Sequence, residues 1–385
     1  MKRCRWITLD ELEGRRAEWH EFAANCVFPS AFADPGWILP WWRVYGNRHH
    51  PWFLILEDAK GSLQGLAPLV CRRTRMARTL TFAGGEWNGL ETLLCTRDLE
   101  AEFSALLLEE LDARRQDWDV WRIRRVPTES CLAQLLLEGC GPLKAAAHDI
   151  RLQPFLELPP DGAAFEARFG SKQRGTQRRK WRRLLELGAR PRLVSDLAEI
   201  EPAVHRLLEL RRARAMAMGQ RYAHMDARFG SFLVDVMRES GPNGTRLWTL
   251  EVDKQTLVMR LDLVQGVREH SYLLGLSDGH TALSPGSSLE RHAILEAIAE
   301  GRTELDLGPG RDEYKYRLGA IDRELTRLVA LSPSIRGRIV GSAAALDLTL
   351  RNTSAADALR RRRGMVSERG ASKAVRTPLR EHANK

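Results

Sequence analysis

An acid, a tyrosine and a lysine follow one short apolar segment late in the chain. Asp306 ends a predicted strand, and a loop rich in glycine and proline leads from it to Tyr314 and Lys315. Acyl transfer to an amine needs a base that takes the ammonium proton and an acid that protonates the departing thiolate. Asp306 is therefore a candidate base or proton relay, and Tyr314 is a candidate acid. Lys315, which Asp306 could orient, is a further candidate catalytic residue. The alternative interpretation is a charged surface loop with packed tyrosines.

A second candidate is the turn 283–290, which joins predicted strands to a predicted helix. Ser287 and Glu290 have the spacing of a capping box, which predicts a helix that begins near Ser288. Free N–H groups at a helix start, together with the helix dipole, bind anions such as a pyrophosphate. Gly286 would let such a ligand approach the backbone, although an ordinary capped helix explains the same pattern. The candidate anion-binding residues are Ser284, Gly286, Ser287 and Ser288.

Basic side chains repeat along the segment 171–185. Arg174, Arg178 and Arg182 are spaced by four residues, so a helix would place them on one face. Like charges at this spacing repel by a few tenths of a kcal/mol per pair, which an anionic partner would relieve. We predict that Lys172, Arg174 and Arg178 bind an anionic group of a substrate. The alternatives are RNA, the acidic face of a neighbouring domain, or a solvated helix without a ligand.

The surrounding elements predict an α/β (α+β) fold. Helices are predicted at 165–188, 200–216, 225–239 and 287–300, and strands at 190–194, 245–252, 256–264, 269–276, 304–307 and 325–331. The first 160 residues have a looser order of the same kind, with a strand meander at 52–56, 63–71 and 78–82. A helix rich in tryptophan opens at Pro35, and it either packs on the core or forms an aromatic wall toward a ligand. Mixed strands and helices in this order are typical of layered α/β domains.

Basicity is concentrated at the C-terminus. The chain has 385 residues, 43% of them hydrophobic, which excludes wholesale disorder. Residues 336–385 carry 12 Lys or Arg against 4 Asp or Glu, so they account for +8 of the net charge of +10. The body is therefore nearly neutral, and the charge is weak evidence for nucleic-acid binding by it. We predict a basic, partly disordered tail at 336–385, or one that contacts RNA or an anionic membrane surface.

The spacing of the cysteines indicates whether a metal site is present, and the length of the apolar runs indicates whether the chain spans a membrane. The six cysteines form no CxxC pair and the histidines no HExxH motif, so we predict no metal and reduced thiols. No apolar run approaches the ~20 residues of a spanning helix, and no apolar stretch follows the basic N-terminus. We therefore expect a cytoplasmic protein without a membrane span.

Three motifs in order resemble the CelD/BcsL-type acetyltransferases, a family with a GNAT-like (acyl-CoA N-acyltransferase) domain. The first is Ser171-Lys172-Gln173-Arg174 followed by Arg178-Arg179, and the second is Tyr272-Leu273-Leu274-Gly275 followed by Ser284-Pro285-Gly286. The third is Asp306-Leu307-Gly308, then Gly310 and Tyr314-Lys315, with Pro309 where the family has arginine. The N-terminal part is similar more loosely, through Trp37, the segment 65–69 and the segment 82–84.

The resemblance implies tandem GNAT domains, as in the FemABX peptidyltransferases, at 1–160 and 161–335. It implies acyl-CoA (acetyl-CoA) as donor and an acceptor amine or hydroxyl, for example on a polysaccharide or exopolysaccharide precursor. Lys315 and Tyr314 are shared with the family, and His270, on the strand beside the site, is a second candidate base or a packed histidine. The open alternatives are a FemABX-like transferase that uses aminoacyl-tRNA and a catalytically silent scaffold. RNA is the less favoured partner.

Overall fold

The computed structural model of this chain describes residues 2–217 and 225–340, so the tail prediction falls almost wholly outside the described part. The meander predicted for the first half is confirmed, because its runs of buried side chains pair as strands. The elements of this half are β1 (Arg3–Ile7), α1 (Leu9–Glu13), α2 (Arg16–Ala24), α3 (Pro35–Tyr45), β2 (His49–Glu57), β3 (Leu63–Arg73), β4 (Arg78–Phe82), β5 (Leu94–Cys95), α4 (Glu100–Ala113), β6 (Val120–Pro127), α5 (Cys131–Glu138) and β7 (Ala145–Glu157).

The second half has the predicted order of helices, meander, helix and short strands. The segment predicted as one helix at 165–188 is two helices, because the chain leaves the helical conformation at Gly170. The elements are α6 (Gly162–Ala167), α7 (Ser171–Glu186), β8 (Arg190–Leu193), α8 (Leu197–Ala217), α9 (Ala227–Gly244), β9 (Thr245–Val252), β10 (Gln255–Gln265), β11 (Arg268–Leu276), α10 (Pro285–Ala299), β12 (Glu304–Asp306), α11 (Glu313–Arg317) and β13 (Ile321–Leu331).

One mixed sheet of 13 strands runs through both halves. Its order is β1-β2-β3-β4-β6-β13-β7-β12-β11-β10-β9-β8, with β5 beside β3. The last strand, β13, lies between β6 and β7 and is antiparallel to both, so the C-terminal strand joins the two halves of the sheet. The predicted domain boundary near residue 160 follows β7 and stays a prediction.

A hydrophobic core shared by both halves holds the tryptophan-rich helix α3. Trp37 is 1% exposed, and its ring contacts Phe232 of α9 and Tyr272 of β11 edge-on at 4.8 and 5.2 Å. Asp34 caps α3 by accepting a hydrogen bond from the amide of Gly36. This helix is therefore part of the core and not an aromatic wall toward a ligand.

The parallel pair β11 and β12 is short, and this shapes the site. The two strands are in register only from Arg268 opposite Glu304 to His270 opposite Asp306. Beyond that point the two strands are no longer paired, and the loop 307–312 leads from the end of β12 to α11. Within residues 2–217 and 225–340, no helix is long and apolar enough to cross a membrane, and no three acidic, His or Cys side chains are grouped as metal ligands.

Candidate functional site

Two adjoining cavities lie between α6, α7, α10 and α11. The α7 cavity, of about 600 Å³, is lined by residues of α6, α7 and α10, among them Arg174, Arg178 and Trp181. The α11 cavity, of about 390 Å³, is lined by residues of α7, α10 and α11 and the loops beside them. Gln177 and Arg291 line both cavities, so the two are adjacent, and together they are called the cleft below.

Helix α10 begins at Pro285, earlier than predicted. Proline favours the first helical position, and Ser284 before it is the N-cap, with φ of 50° and no side-chain cap. The capping box predicted for Ser287 and Glu290 is therefore wrong. The amides of Gly286 and Ser287 have no hydrogen-bond partner among the described residues, since the first intrahelical bond runs from the amide of Ser288 to the carbonyl of Ser284.

A cation from α7 lies at this helix start. Lys180 Nζ donates a hydrogen bond of 2.7 Å to the Ser284 hydroxyl. Two free amides, the positive end of the α10 dipole and an ammonium group therefore lie together at the edge of the cleft, where Ser287 lines the α11 cavity. This arrangement suits a phosphate or pyrophosphate. Lys180 was not among the predicted binding residues, and its neighbourhood with Ser284 depends on the packing of α7 against α10.

The other two predicted anion-binding residues have packing roles as well. A Cβ at Gly286 would lie 2.9 Å from Leu276 Cδ2, so a larger residue there requires the Leu276 side chain to move. Ser288 is 4% exposed and lines the α7 cavity, and its hydroxyl has no hydrogen-bond partner among the described residues. Replacement of Gly286 would thus disturb packing in addition to any ligand.

The basic face of α7 is only partly directed into the cleft. Arg174 and Arg178 line the α7 cavity, whereas Lys172 is exposed and lines neither cavity. The Arg174 guanidinium donates to the carbonyl of Phe169. Arg178 is exposed and has no hydrogen bond or ion pair among the described residues, so its charge is available to a ligand. Arg182, the third member of the row, pairs with Glu186 at 3.7 Å.

The far wall of the α7 cavity comes from α6 and α10. Arg291 forms an ion pair with Glu166 and lies over the Phe169 ring at 5.0 Å from its centroid. Trp181 stacks on His292 with a centroid distance of 5.7 Å, and burial lowers the pKa of that histidine. These α10 residues directly follow the predicted turn, which was the only sequence signal for them.

Tyr314 and Lys315 are neighbours in α11 with different surroundings. Tyr314 is 39% exposed, lines the α11 cavity with Ser287, and has a pKa raised above the ordinary value by burial. Its phenol makes no hydrogen bond among the described residues, so it is free to act on a ligand. Lys315 is buried, and its Nζ donates to the carbonyls of Gly308, Pro309 and Gly310 at 3.0 Å each. Lys315 therefore holds the loop after β12.

Asp306 and His270 lie together, as their strand positions predicted, but they line a different cavity from Tyr314. His270 Nδ1 is 3.3 Å from Asp306 Oδ1, and the carboxylate also accepts hydrogen bonds from Gln153 Nε2 and the Gly308 amide. Burial tends to raise the pKa of Asp306, but these three partners outweigh it and hold the pKa below the ordinary value. Both residues line a cavity of only about 30 Å³, where Phe32 is edge-on to the His270 ring at 4.9 Å.

Glu290 is an acid of the cleft that sequence reasoning assigned to a helix cap. It lines the α11 cavity beside Tyr314, with its side chain 14% exposed. Its nearest cation is Arg260 of β10, with Nη1 3.8 Å from Glu290 Oε1. Burial is the largest influence on this carboxyl and raises its pKa to about 7.

Comparison with known proteins supports the fold and the class of the second half. Residues 171–316 match a sequence family described as an acetyltransferase (GNAT) domain, which supports a transferase. The crystal structure of FemX is similar with a TM-score of 0.63 and 12% identity, over 85% of this chain and 96% of that one. The C-terminal domain of a putative lysylphosphatidylglycerol synthetase from Agrobacterium fabrum is similar with a TM-score of 0.52 and 15% identity, over 87% and 97%.

A conserved protein of unknown function from Bacteroides thetaiotaomicron is also similar, with a TM-score of 0.55 and 11% identity, over 86% of this chain and 100% of that one. No curated protein sequence matches the chain. At these identities the structural likeness shows the fold alone. The predicted mixed α/β fold is confirmed, and the tandem arrangement of two GNAT domains stays a prediction.

Proposed function

We propose that this protein is a GNAT-type acyltransferase that transfers an acyl group from acyl-CoA to an amine or hydroxyl. Acetyl is the acyl group proposed here. The observation that carries the proposal is the start of α10, where the amides of Gly286 and Ser287 and the ammonium of Lys180 are placed to bind a phosphate group. This site opens on the cavity that holds the free phenol of Tyr314. A donor with a pyrophosphate at α10 would thus have its thioester within the same cleft.

The donor's requirements fit these residues. Backbone amides at a helix start bind pyrophosphate through hydrogen bonds and the helix dipole, and Lys180 adds a full charge. Tyr314 is proposed as the acid that protonates the leaving thiolate, because it is the uncommitted phenol in the α11 cavity. Lys315 supports this step indirectly, because its hydrogen bonds to the carbonyls of Gly308 and Gly310 fix the loop next to Tyr314 in sequence.

The roles of Asp306 and His270 remain a prediction. Their contacts support a positioning role, because Asp306 ties the loop after β12 to β7 through Gly308 and Gln153. A proton relay through His270 would have to leave the small cavity that the pair lines. Variants at these positions are treated below.

The α7 cavity is proposed to hold the acceptor. Arg178 lines this cavity and has no ion-pair partner in the described part of the chain, Arg174 lines it too, and Trp181 provides an aromatic wall. An acceptor with an anionic group and a ring fits these walls, and a phosphorylated sugar that serves as a polysaccharide precursor has both. Lys172 is exposed and would contribute at longer range.

Thermal unfolding with acetyl-CoA tests the donor. A ligand at ~100 times its dissociation constant stabilises the folded state by about 2.7 kcal/mol, so a clear rise in melting temperature is expected. Dephosphorylated pantetheine, which lacks the pyrophosphate, should give little shift. Equal shifts with both compounds, or none with either, would contradict the proposal.

A second candidate is an aminoacyl-tRNA-dependent transferase. The observation that favours it is the exposed basic face of α7, on which Lys172 and Arg178 have no acidic partner among the described residues. Binding of tRNA through several phosphates would weaken linearly with the logarithm of salt concentration. A steep salt slope with tRNA and no shift with acetyl-CoA would select this candidate, whereas no effect of either ligand would leave a silent scaffold.

A further inference from the structure

Glu290 and the phenol of Tyr314 line the α11 cavity, and the buried guanidinium of Arg260 lies 3.8 Å from Glu290. Glu290 lies one turn after Ser287 on α10, so both side chains occupy one helix face and line this cavity together with Tyr314. We infer that Glu290 is a further catalytic residue of the proposed reaction, the group whose carboxylate takes the proton from the acceptor's nucleophile. This inference rests on the proposed acyltransferase function.

Arg260 lies close enough to orient the Glu290 carboxylate by its charge but makes no hydrogen bond to it. The Arg260 side chain is 1% exposed, and its Nε donates to both oxygens of Asp262 at 2.7 and 2.9 Å. Its Nη1 and Nη2 atoms are buried and have no hydrogen-bond partner among the described residues. At 3.8 Å the Nη1 atom is too far from Glu290 for a hydrogen bond, and Glu290 accepts none from any other described residue. The carboxylate is thus oriented by charge while its oxygens stay open to a proton donor in the cleft.

Burial and a neighbouring acid favour proton binding at this position. Glu290, Asp262 and Glu269 all interact with the buried guanidinium of Arg260, which is already paired with Asp262. Lys315 also acts on Glu290, and Arg246 and Arg302 act on Glu269, but at both glutamates the loss of hydration outweighs these cations. Burial, the largest influence, raises the pKa of Glu290 to about 7 and that of Glu269 to about 8, so Glu290 can take and release a proton near neutral pH.

The charged and titratable groups around Glu290 come from two neighbouring elements and from its own helix. They are Arg260 and Asp262 on β10, Tyr314, Lys315 and Arg317 on α11, and Arg291 on α10. Asp306 and His270 are not in this set, since they line the separate cavity of about 30 Å³ together with Glu269.

The step balances with groups on this chain. An acceptor that arrives as an ammonium ion first loses one proton to Glu290, which releases it to solvent. The neutral acceptor nitrogen or oxygen then attacks the thioester carbonyl carbon while its proton passes to Glu290. The tetrahedral intermediate collapses, the C–S bond breaks, and Tyr314 gives its phenolic proton to the sulfur. The proton on Glu290 then returns to the Tyr314 phenolate through the shared cavity. The products are the acylated acceptor and CoA, with no change in the protein and no other reactant.

The Glu290→Gln variant tests the inference, with Glu296→Gln as its matched control. Glu296 lies on the same helix but lines neither cavity of the cleft. The donor is acetyl-CoA, and the acceptors are glucosamine, whose amine is largely protonated at neutral pH, and hydroxylamine, which is not. The expected result for Glu290→Gln is a loss of at least ~10²-fold in turnover with glucosamine, a loss of only a few-fold with hydroxylamine, and an unchanged Kd for acetyl-CoA. Wild-type turnover with glucosamine should also rise with pH around 7, and this rise should be absent in the variant.

Infrared difference spectra between the wild type and Glu290→Gln give a readout that needs no acceptor. A neutral carboxyl band that disappears around pH 7 and is missing from the variant supports the inference, and a carboxyl already ionised at pH 5 overturns it. Unchanged glucosamine turnover in Glu290→Gln also overturns it. Equal losses with both nucleophiles, accompanied by a lower melting temperature, would show a structural role only. Failure of the proposed function appears separately, as absence of acetyl-CoA binding by the wild type.

Discussion

The Nζ atom of Lys180 donates a 2.7 Å hydrogen bond to the hydroxyl of Ser284, which places the ammonium group of α7 at the start of α10. The neighbouring amides of Gly286 and Ser287 are unpaired among the described residues. A phosphate bound to these amides would therefore lie against a full positive charge. Because this contact joins two helices, it also ties the turn proposed to bind the donor to helix α7, which lines the α7 cavity.

Replacement of Lys180 by methionine should weaken acetyl-CoA binding. A hydrogen bond to a charged group contributes roughly 1.5–3 kcal/mol, so Kd should rise by at least ~10-fold in calorimetric titration. Arg183→Met is the control, since Arg183 is on the same helix but exposed and paired with Glu186. The same Kd in both variants would remove Lys180 from the donor site.

Gly286→Val should lower stability before it reports on ligand binding. The added Cβ would meet Leu276 Cδ2 at 2.9 Å, so α10 and β11 must shift or Leu276 must move. We expect a lower melting temperature, and partial recovery when Leu276→Ala is added, because the two sites are in contact. Additive losses in the double variant would argue against this packing.

Tyr314→Phe should lower turnover by at least ~10²-fold while leaving acetyl-CoA binding and melting temperature nearly unchanged. The phenol makes no hydrogen bond among the described residues, so its loss removes only chemistry. Tyr316→Phe is the control, since the Tyr316 hydroxyl donates to Asp322 on the surface at 2.8 Å. Turnover within a few-fold of wild type in Tyr314→Phe would exclude this tyrosine as the acid.

Asp306→Asn should reduce the free energy of unfolding by about 1–3 kcal/mol at pH 7, because one buried oxygen loses its charge-assisted partners. The pKa of Asp306 lies below the ordinary value, so its stabilising contribution is present above that ordinary value and is lost as pH falls through the folded pKa. Urea unfolding of variant and wild type should therefore differ at pH 7, and the difference should begin to shrink only below about pH 4 and disappear below the folded pKa.

A second readout of Asp306→Asn separates positioning from catalysis. If activity at low temperature, where the variant is folded, stays within a few-fold of wild type, Asp306 supports the loop only. A loss of ~10²-fold in turnover in the folded variant would restore the predicted proton relay with His270.

Arg178→Ala should weaken use of an anionic acceptor without changing the Kd for acetyl-CoA. Arg178 lines the α7 cavity and has no ion-pair partner among the described residues, whereas Arg174 is already bound to a backbone carbonyl. A rise in acceptor KM with constant kcat, measured with sugar phosphates and the matching neutral sugars, would show loss of anion binding. Equal KM changes for both sugars would contradict the role.

Many of the helices and strands could be predicted from the sequence, because they depend on local patterns of residues. Alternating apolar residues in β9 to β11 and the proline at the start of α3 predicted those elements, because strand periodicity and helix starts depend on neighbours along the chain. The strand β7 was missed, since its central residues are exposed and only its pairing with β13 and β12 makes it a strand. Pairing of that kind has no local signal.

The candidate site shows the same division. The sequence by itself determined which residue types were present: Tyr314 after a Gly/Pro loop, a turn with free amides at Gly286, and a basic helix. Only the tertiary structure decided that Glu290 faces Tyr314, that Lys180 reaches Ser284, and that His270 and Asp306 line another cavity. The physical reason is that more than one local structure is compatible with these patterns. This holds for the spacing of Ser287 and Glu290 and for the row of basic residues on α7. Packing of α7, α10 and α11 on one sheet selects among them and sets which charges lose water together.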